Sequence, residues 1–493
     1  MKKHLKILNL RKFFFLFLAS GIILTACKKD DDNIPDGPNA NLTVQDFMWR
    51  AMNLWYFWQA DVENLDDSVK TNASSYEEFL ATENDPGEFF DNQLLFNEDR
   101  FSFYSEDYKE LTQALSGISK SNGLEFGLVR FQGSDDIFGY VRYIVPGSDA
   151  ATKNIARGDL FTGVNGQTLN IDNYTDLLFG DADTYTLNMA DIANNTVTPN
   201  DEEVTLTKQP NLAENPVFLS KSFDINGEKI GYLVYNGFTN EYDEDLNNAF
   251  GDLKAAGVNH LVLDLRYNPG GSVNTARLLA SMIYGTNTSN LFLRQRWNAK
   301  VQSQLNKEQL EDYFSDKTGD GSTINTLNLD KVYILATGST ASASELVING
   351  LTPYMDVVHI GEATRGKNEF SITMVDDPEG SFIFNPDREN EINSNNQWAI
   401  QPLVGRNENA DGFSDYTEGL VPDIELQEDL ADLGILGDQN EPFLARAIQE
   451  ITGASGKRDF SVRVPAEVMT SSKMFGPIKD NMVLDKPLDL KFQ

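Results

Sequence analysis

Between residues 220 and 425 the chain repeats one pattern: an apolar run, a loop of small residues, then an amphipathic helix. "VNHLVLDLRYNPGG" leads into "TARLLASMIYG", and "DKVYILATGSTASASELVINGL" runs through the same sequence of elements. Upstream, "EKIGYLVYNGF" reads as a strand. "EYDEDLNNAFGDLKAAG" places Leu246, Ala249, Phe250 and Leu253 at helical spacing, with Gly257 as a C-terminal stop. Strands and helices that alternate in this way pack as layers, so the segment reads as a layered α/β domain. Ligands in such domains sit where strands end and helices begin. Two loops fall at those places: Gly270–Gly271, and the serine-rich stretch from Gly338 to Gly350.

The flanking regions have other patterns. Residues 43–118 read as a small helical N-terminal domain. Thr43 is placed to cap a helix with Phe47, Met48, Ala51, Leu54 and Trp55 at helical spacing, which makes a core-facing stripe rather than a ligand cage. Residues 119–209 are β-rich: "NGLEFGLVRF" and "FGYVRYIV" are strands, "PGSDAA" opens a short helix, and "RGD" and "VNGQ" are a turn and a hairpin. This order resembles a PDZ domain. The resemblance implies that a peptide adds as a strand beside Phe126, Gly127 and Leu128, its terminal carboxylate held by N–H groups of the "EFGL" loop. A β domain whose edge is merely protected is the plainer reading of the same residues. Residues 426–493 are expected to form a C-terminal helix, "EPFLARAIQEITG", and an irregular tail.

The N-terminus carries a basic segment, "MKKHLKILNLRK", and then the apolar run "FFFLFLASGIILTA". Together they read as a signal peptide over residues 1–26, too short for a transmembrane helix of about 20 apolar residues. "LTAC" resembles a lipoprotein lipobox, which implies lipidation of Cys27; an incidental cysteine after an ordinary signal is the alternative. As the only cysteine, Cys27 excludes an intrachain disulfide and a multi-cysteine metal site. Residues 27–42 are polar, with Gly and Pro, and read as a disordered tether. Their "CKKDDDN" start resembles surface-export signals of some Bacteroidota lipoproteins. The expected location is therefore the bacterial envelope, lipid-anchored to the outer membrane and periplasmic or surface-exposed. The formal charge of −35 argues against nucleic-acid partners.

Three serines, Ser339, Ser342 and Ser344, invite a nucleophile, but "SASE" from Ser342 to Glu345 also fits a capping box, and Thr340 offers a second cap. A nucleophilic serine needs a base. His4 leaves with the signal, and His260 and His359 fall inside strand patterns, so a Ser-His-Asp triad is poorly served. A lysine can act instead when burial keeps it neutral. Lys367 in "GEATRGKNEF" is the candidate, although a lone lysine after a glycine reads equally as a surface charge.

"NPGG", "TASASE" and "GEATRGK", in this order and spacing, resemble the C-terminal processing peptidases, or tail-specific proteases. That family places a PDZ domain before a crotonase-like Ser/Lys peptidase domain. The resemblance covers residues 119–425, and the helical N-terminal part is similar to that of Bacteroidota members. It implies that Ser342 is the nucleophile and Lys367 the general base, 25 residues apart (367 − 342) as is usual in the family. It also implies an oxyanion hole from the N–H of Ala343 with Gly270 or Gly271, and no metal or cofactor. Substrates would be peptides or unfolded proteins, engaged near their C-termini. Glu345, Asp264 and Arg266 read as structural. Two positions depart from the family pattern. Ser371 stands where a glutamine often orients the lysine. "RGKN" replaces "FGKG", which puts Arg365 beside the base, where a cation would lower the lysine pKa. A catalytically inactive peptide-binding lipoprotein and a small-ligand hydrolase on the same fold remain as other readings.

Overall fold

The apolar runs of the α/β region form one sheet. Glu228–Tyr235, His260–Asp264, Lys331–Ala336 and Asp356–Gly361 lie side by side and parallel. Val217–Ile225 pairs antiparallel at one edge and Ile424–Glu425 parallel at the other. Alternate residues face two cores. Ile230, Tyr232 and Val234 pack on Phe443, Leu444 and Ala447 of the helix Pro442–Thr452. Leu233, Tyr235, Leu261 and Leu263 pack on the helices Asp243–Ala255, Val273–Ile283 and Ala343–Leu351. Both faces are covered, which is why the strands carry apolar residues at successive positions.

The computed structural model describes residues 42–453, 459–476 and 479–485. The signal peptide, Cys27 and the tether therefore lie outside the described residues. Among the described residues no helix is long and apolar enough to cross a membrane. The first helix is Thr43–Trp55, with Leu42 rather than Thr43 at its cap. Its Phe47, Met48, Ala51 and Trp55 belong to the same core as Leu233 and Leu263. The strand Phe103–Ser105 pairs with Ala399–Gln401. The N-terminal helices thus share the core of the α/β region.

The β-rich region forms a largely antiparallel sheet with the strand order Leu124–Arg130, Ile137–Ile144, Leu160–Val164, Thr184–Ala193, Thr196–Thr207. Phe126, Phe161 and Leu187 fill its core against Leu178 of the helix Tyr174–Phe179. The irregular tail expected after the last helix is corrected by two strands. Val468–Ser471 adds antiparallel to the edge of Leu124–Arg130. Met482–Val483 lies between Gly271–Ser272 and Glu369–Ser371 in a second six-stranded sheet. Strands of four and two residues leave no readable period, and their partners lie far away in sequence.

Candidate active site

Ser342 sits where the strand Lys331–Ala336 passes into the helix Ala343–Leu351. Its φ of 65° and ψ of −114° are rare for a residue with a side chain. Such strain costs about 1–3 kcal/mol and persists only where the surroundings impose it. Here they do. Thr337 Oγ1 donates to the Arg266 carbonyl at 2.6 Å, Thr340 Oγ1 to Leu265 at 2.8 Å, and the Ala341 N–H to Asn268 at 3.1 Å. Thr340, the alternative cap, thus ties the serine loop to the end of the neighbouring strand. Ser344 Oγ donates to the Asn268 carbonyl, and Ser339 Oγ accepts from Arg142.

Half of the expected capping box forms: the Ser342 N–H donates to Glu345 Oε2 at 2.6 Å, while the Ser342 hydroxyl does not return a bond to the helix. Glu345 also reaches further. It accepts from the N–H of Lys367 at 2.9 Å, the N–H of Gly366 at 2.7 Å and Thr364 Oγ1 at 2.5 Å. One buried carboxylate therefore fixes the lysine loop against the serine turn. Burial pushes its pKa up to about 7, against the pull of these hydrogen bonds.

In the glycine loop both N–H groups are engaged. The Gly270 N–H donates to Asn268 Oδ1 at 2.9 Å, within its own loop, which counts against it as an oxyanion donor in this arrangement. Gly270 is needed for space instead: a Cβ there would lie 2.6 Å from Ser342 Cβ. The Gly271 N–H donates to the carbonyl of Asn481 at 2.6 Å. The Ala343 N–H opens the helix, where no intrahelical acceptor exists and the dipole favours negative charge.

Lys367 is 1% exposed and Ser342 fully buried. Burial pushes the lysine down to about 8, while the carboxylates of Asp480, Glu369, Asp99 and Glu345 oppose the fall. The help expected from Arg365 is not seen, because its guanidinium turns to Asp480 Oδ2 at 3.0 Å. Lys367 Nζ donates to the Asp480 carbonyl at 2.5 Å and lies 3.5 Å from Asn481 Oδ1. Ser342 Oγ is buried without a hydrogen-bond partner. The structure thus gathers Ser342, Ala343, Gly270, Gly271 and Lys367, yet the lysine amine bonds to the tail and not to the serine.

Ser371, which replaces the usual glutamine, donates from Oγ to Asn481 Oδ1 at 2.5 Å. An amide oxygen stands near the lysine after all, but it comes from residue 481. Asn268, Asp480 and Asn481 were not singled out by the sequence. Only the "NPGG" context of Asn268 carried a signal. Neither histidine approaches this chemistry. His260 meets Glu228, and burial pushes the His359 imidazole down to about 4, against the pull of Asp423. Phe126, Gly127 and Leu128 lie at the sheet edge, where Gly127 and Leu128 pair with Ser471 and Thr470, and the Phe126 N–H donates to Ser472 Oγ at 3.0 Å.

Comparison with known proteins gives this geometry a context. Residues 229–426 match peptidase family S41, and residues 43–103 match the peptidase S41 N-terminal domain. A carboxyl-terminal-processing protease of Picosynechococcus is 29% identical over 156 residues, 32% of this chain and 33% of that protein. A probable CtpA-like serine protease of Staphylococcus aureus is 25% identical over 346 residues, 68% of this chain and 58% of that protein. The chain therefore matches between a third and three fifths of the length of these relatives. A solved structure, of a putative S41 protease from Bacteroides fragilis, shares the fold with a TM-score of 0.62 and 27% identity, over 83% of this chain and 97% of that one. The catalytic-region match, the N-terminal match and the common fold agree, and the chain belongs to peptidase family S41.

Proposed function

We propose that this protein is a serine endopeptidase that cleaves peptides or unfolded proteins with a Ser342/Lys367 dyad. The observation that carries the reading is the buried Glu345 carboxylate, which locks the strained Ser342 turn and the Lys367 loop together through backbone N–H groups. In the reaction Lys367, neutral, takes the Ser342 hydroxyl proton as Oγ attacks the peptide carbonyl. Negative charge then develops on the carbonyl oxygen, and the N–H groups of Ala343 and Gly271 are its donors. Lys367 passes the proton to the leaving amine. Lys367, neutral again, takes a proton from a water molecule that attacks the acyl-enzyme, and returns it to Ser342 Oγ as the acid product leaves. Substrate docks as an added strand on the PDZ-like edge at Phe126, Gly127 and Leu128.

The chain is anchored to the outer membrane through Cys27 after its signal is removed; Cys27→Ser should shift it from the membrane fraction to the soluble fraction. The peptidase reading is tested with a reduced, alkylated protein that ends in apolar residues. Cleavage should depend on both Ser342 and Lys367. Equal cleavage by wild type and Lys367→Ala would sink the dyad. A second reading, a peptide-binding protein without turnover, is favoured by the missing hydrogen bond between Ser342 and Lys367. It predicts that Ser342→Ala matches wild type in every cleavage assay.

A further inference from the structure

The C-terminal segment enters two places that a substrate needs. Its first part, residues 468–475, lies along the sheet edge. Val468–Ser471 pairs with the strand Leu124–Arg130, and Ser472 Oγ accepts from the Phe126 N–H. Phe475 stacks on Phe179 with ring centroids 3.9 Å apart, and Phe179 in turn stacks on Phe126. Lys473 Nζ meets Glu214 Oε2 at 2.6 Å. Its second part, residues 479–485, lies in the catalytic cleft, where Asp480 holds the lysine amine and Asn481 holds the Gly271 N–H. Two cavities, of 1510 and 560 Å³, flank this segment. Ser472 and Phe475 line the larger, Val468 to Ser471 line the smaller, and Lys473 lines both. The segment thus lines both cavities, and Ser342 and Lys367 line neither.

We propose that residues 468–476 and 479–485 are a built-in ligand of the peptide edge and the catalytic cleft, so that the protein folds into a self-occupied, latent state that must release this segment before it can act. The proposal rests on the peptidase reading. With the segment seated, the proposed oxyanion donor Gly271 is taken, the proposed base is bonded to a carbonyl, and the nucleophile has no exposed surface. The segment is not cut there, because the lysine amine is not on the serine hydroxyl. The seat also carries costs that favour release: Ser342 Oγ and Asn481 Nδ2 are buried without partners.

The edge also shows what chemistry it accepts. Glu125 Oε2 accepts from Ser472 Oγ at 2.6 Å, beside the N–H that a terminal carboxylate would use. A free C-terminus there would place two carboxylates together, which is repulsive. A hydroxyl donates to Glu125 and accepts from Phe126 at once, and the following lysine neutralises Glu214. The site is therefore built for an internal Ser-Lys-x-Phe segment, and a competing substrate should present a hydroxyl, a base and an aromatic ring rather than its own terminus.

The test uses the full chain with a recognition sequence for a site-specific protease placed within residues 454–458. The folded protein is cut, the released fragment is removed by gel filtration, and cleavage of a reduced, alkylated protein is measured before and after. The rate should rise about tenfold or more, as expected when a minor competent state becomes the main one. A synthetic peptide of residues 466–485 should lower it again. An unchanged or lower rate after release, with Ser342→Ala abolishing the rate of the uncut chain, overturns the proposal. Should the cut chain unfold, the full-length double variant Ser472→Ala, Phe475→Ala decides: a rate above wild type supports latency, and a rate at or below it refutes it. Absence of Ser342-dependent cleavage in every form would instead overturn the peptidase reading. Fluorescence binding of the labelled 466–485 peptide to the cut chain would then decide occupancy alone, for or against.

Discussion

The two walls of the catalytic cleft are held by different means. The wall that carries Ser342 is bound to the body of the α/β sheet by Asn268, Thr337, Thr340 and Glu345, through hydrogen bonds to backbone that is itself in or beside central strands. Behind it, the buried Arg266 joins Asp264 at 2.6 Å and Glu441 at 2.8 Å, which locks the strand end to the last long helix. The opposite wall, Asp480 to Val483, ends in the two-residue strand Met482–Val483; Gly271 and Ser371 hold Asn481 by hydrogen bonds, half-exposed Arg365 pairs with Asp480, and the Asn481 amide nitrogen is unsatisfied. A strained nucleophile needs the first kind of support, since nothing else keeps φ positive at Ser342. A wall that must part for substrate needs the second.

Predictions that break or sharpen this contrast can be ranked by size. Ser342→Ala should lower peptidase activity on the order of a thousandfold or more, while the thermal midpoint stays within a few degrees. A variant that keeps its activity would remove the nucleophile assignment. Next, Leu346→Ala in the serine helix should cost about 2–5 kcal/mol in urea unfolding, as for a well-packed core position. Met482→Ala, equally buried in the same core, should cost less, about 2 kcal/mol, because its strand is only two residues long, and should raise activity. Equal costs would make the two walls alike. Glu345→Gln replaces one carboxylate oxygen by a donor that faces the N–H groups of Ser342 and Lys367. It should destabilise by about 2–3 kcal/mol and cut activity, a loss that Glu345→Asp would only partly restore.

The smallest effect concerns pH. Burial pushes the folded lysine down to about 8, below the ordinary 10.5, and the proposed base is its neutral amine, so kcat/KM should rise as pH rises through about 8. The same shift costs stability below pH 8, where the amine is protonated in both states. That cost is relieved between pH 8 and 10.5, where only the unfolded lysine keeps its proton. The denaturation midpoint of wild type should therefore gain on that of Lys367→Met over this interval. A pH-independent difference would show that the lysine titrates normally.

Much of the fold could be read from residue patterns, because its main elements are long. LVLDL and KVYILA are buried on both faces, and Leu246, Ala249, Phe250 and Leu253 mark a helix against the sheet. Ser342 and Lys367 stood out only through the family resemblance of their motifs and spacing, since the residues alone read as a helix cap and a surface charge. The ambiguity between Gly270 and Gly271 did not yield to sequence, since it depends on where Asn268 turns its side chain. The role of Ser371 was equally hidden, because its partner is 110 residues away.

What the sequence determined by itself was local: which runs are strands and helices, and which loops between them carry glycine and serine. Periodicity and glycine placement act over a few residues, so they can be read from the chain directly. Only the tertiary structure decided what surrounds those residues. Glu345 binding the lysine loop, Asp480 holding the Lys367 amine and Asn481 holding the Gly271 N–H are contacts across long sequence separations. Their geometry follows from the packing of the whole sheet, and no local pattern encodes it.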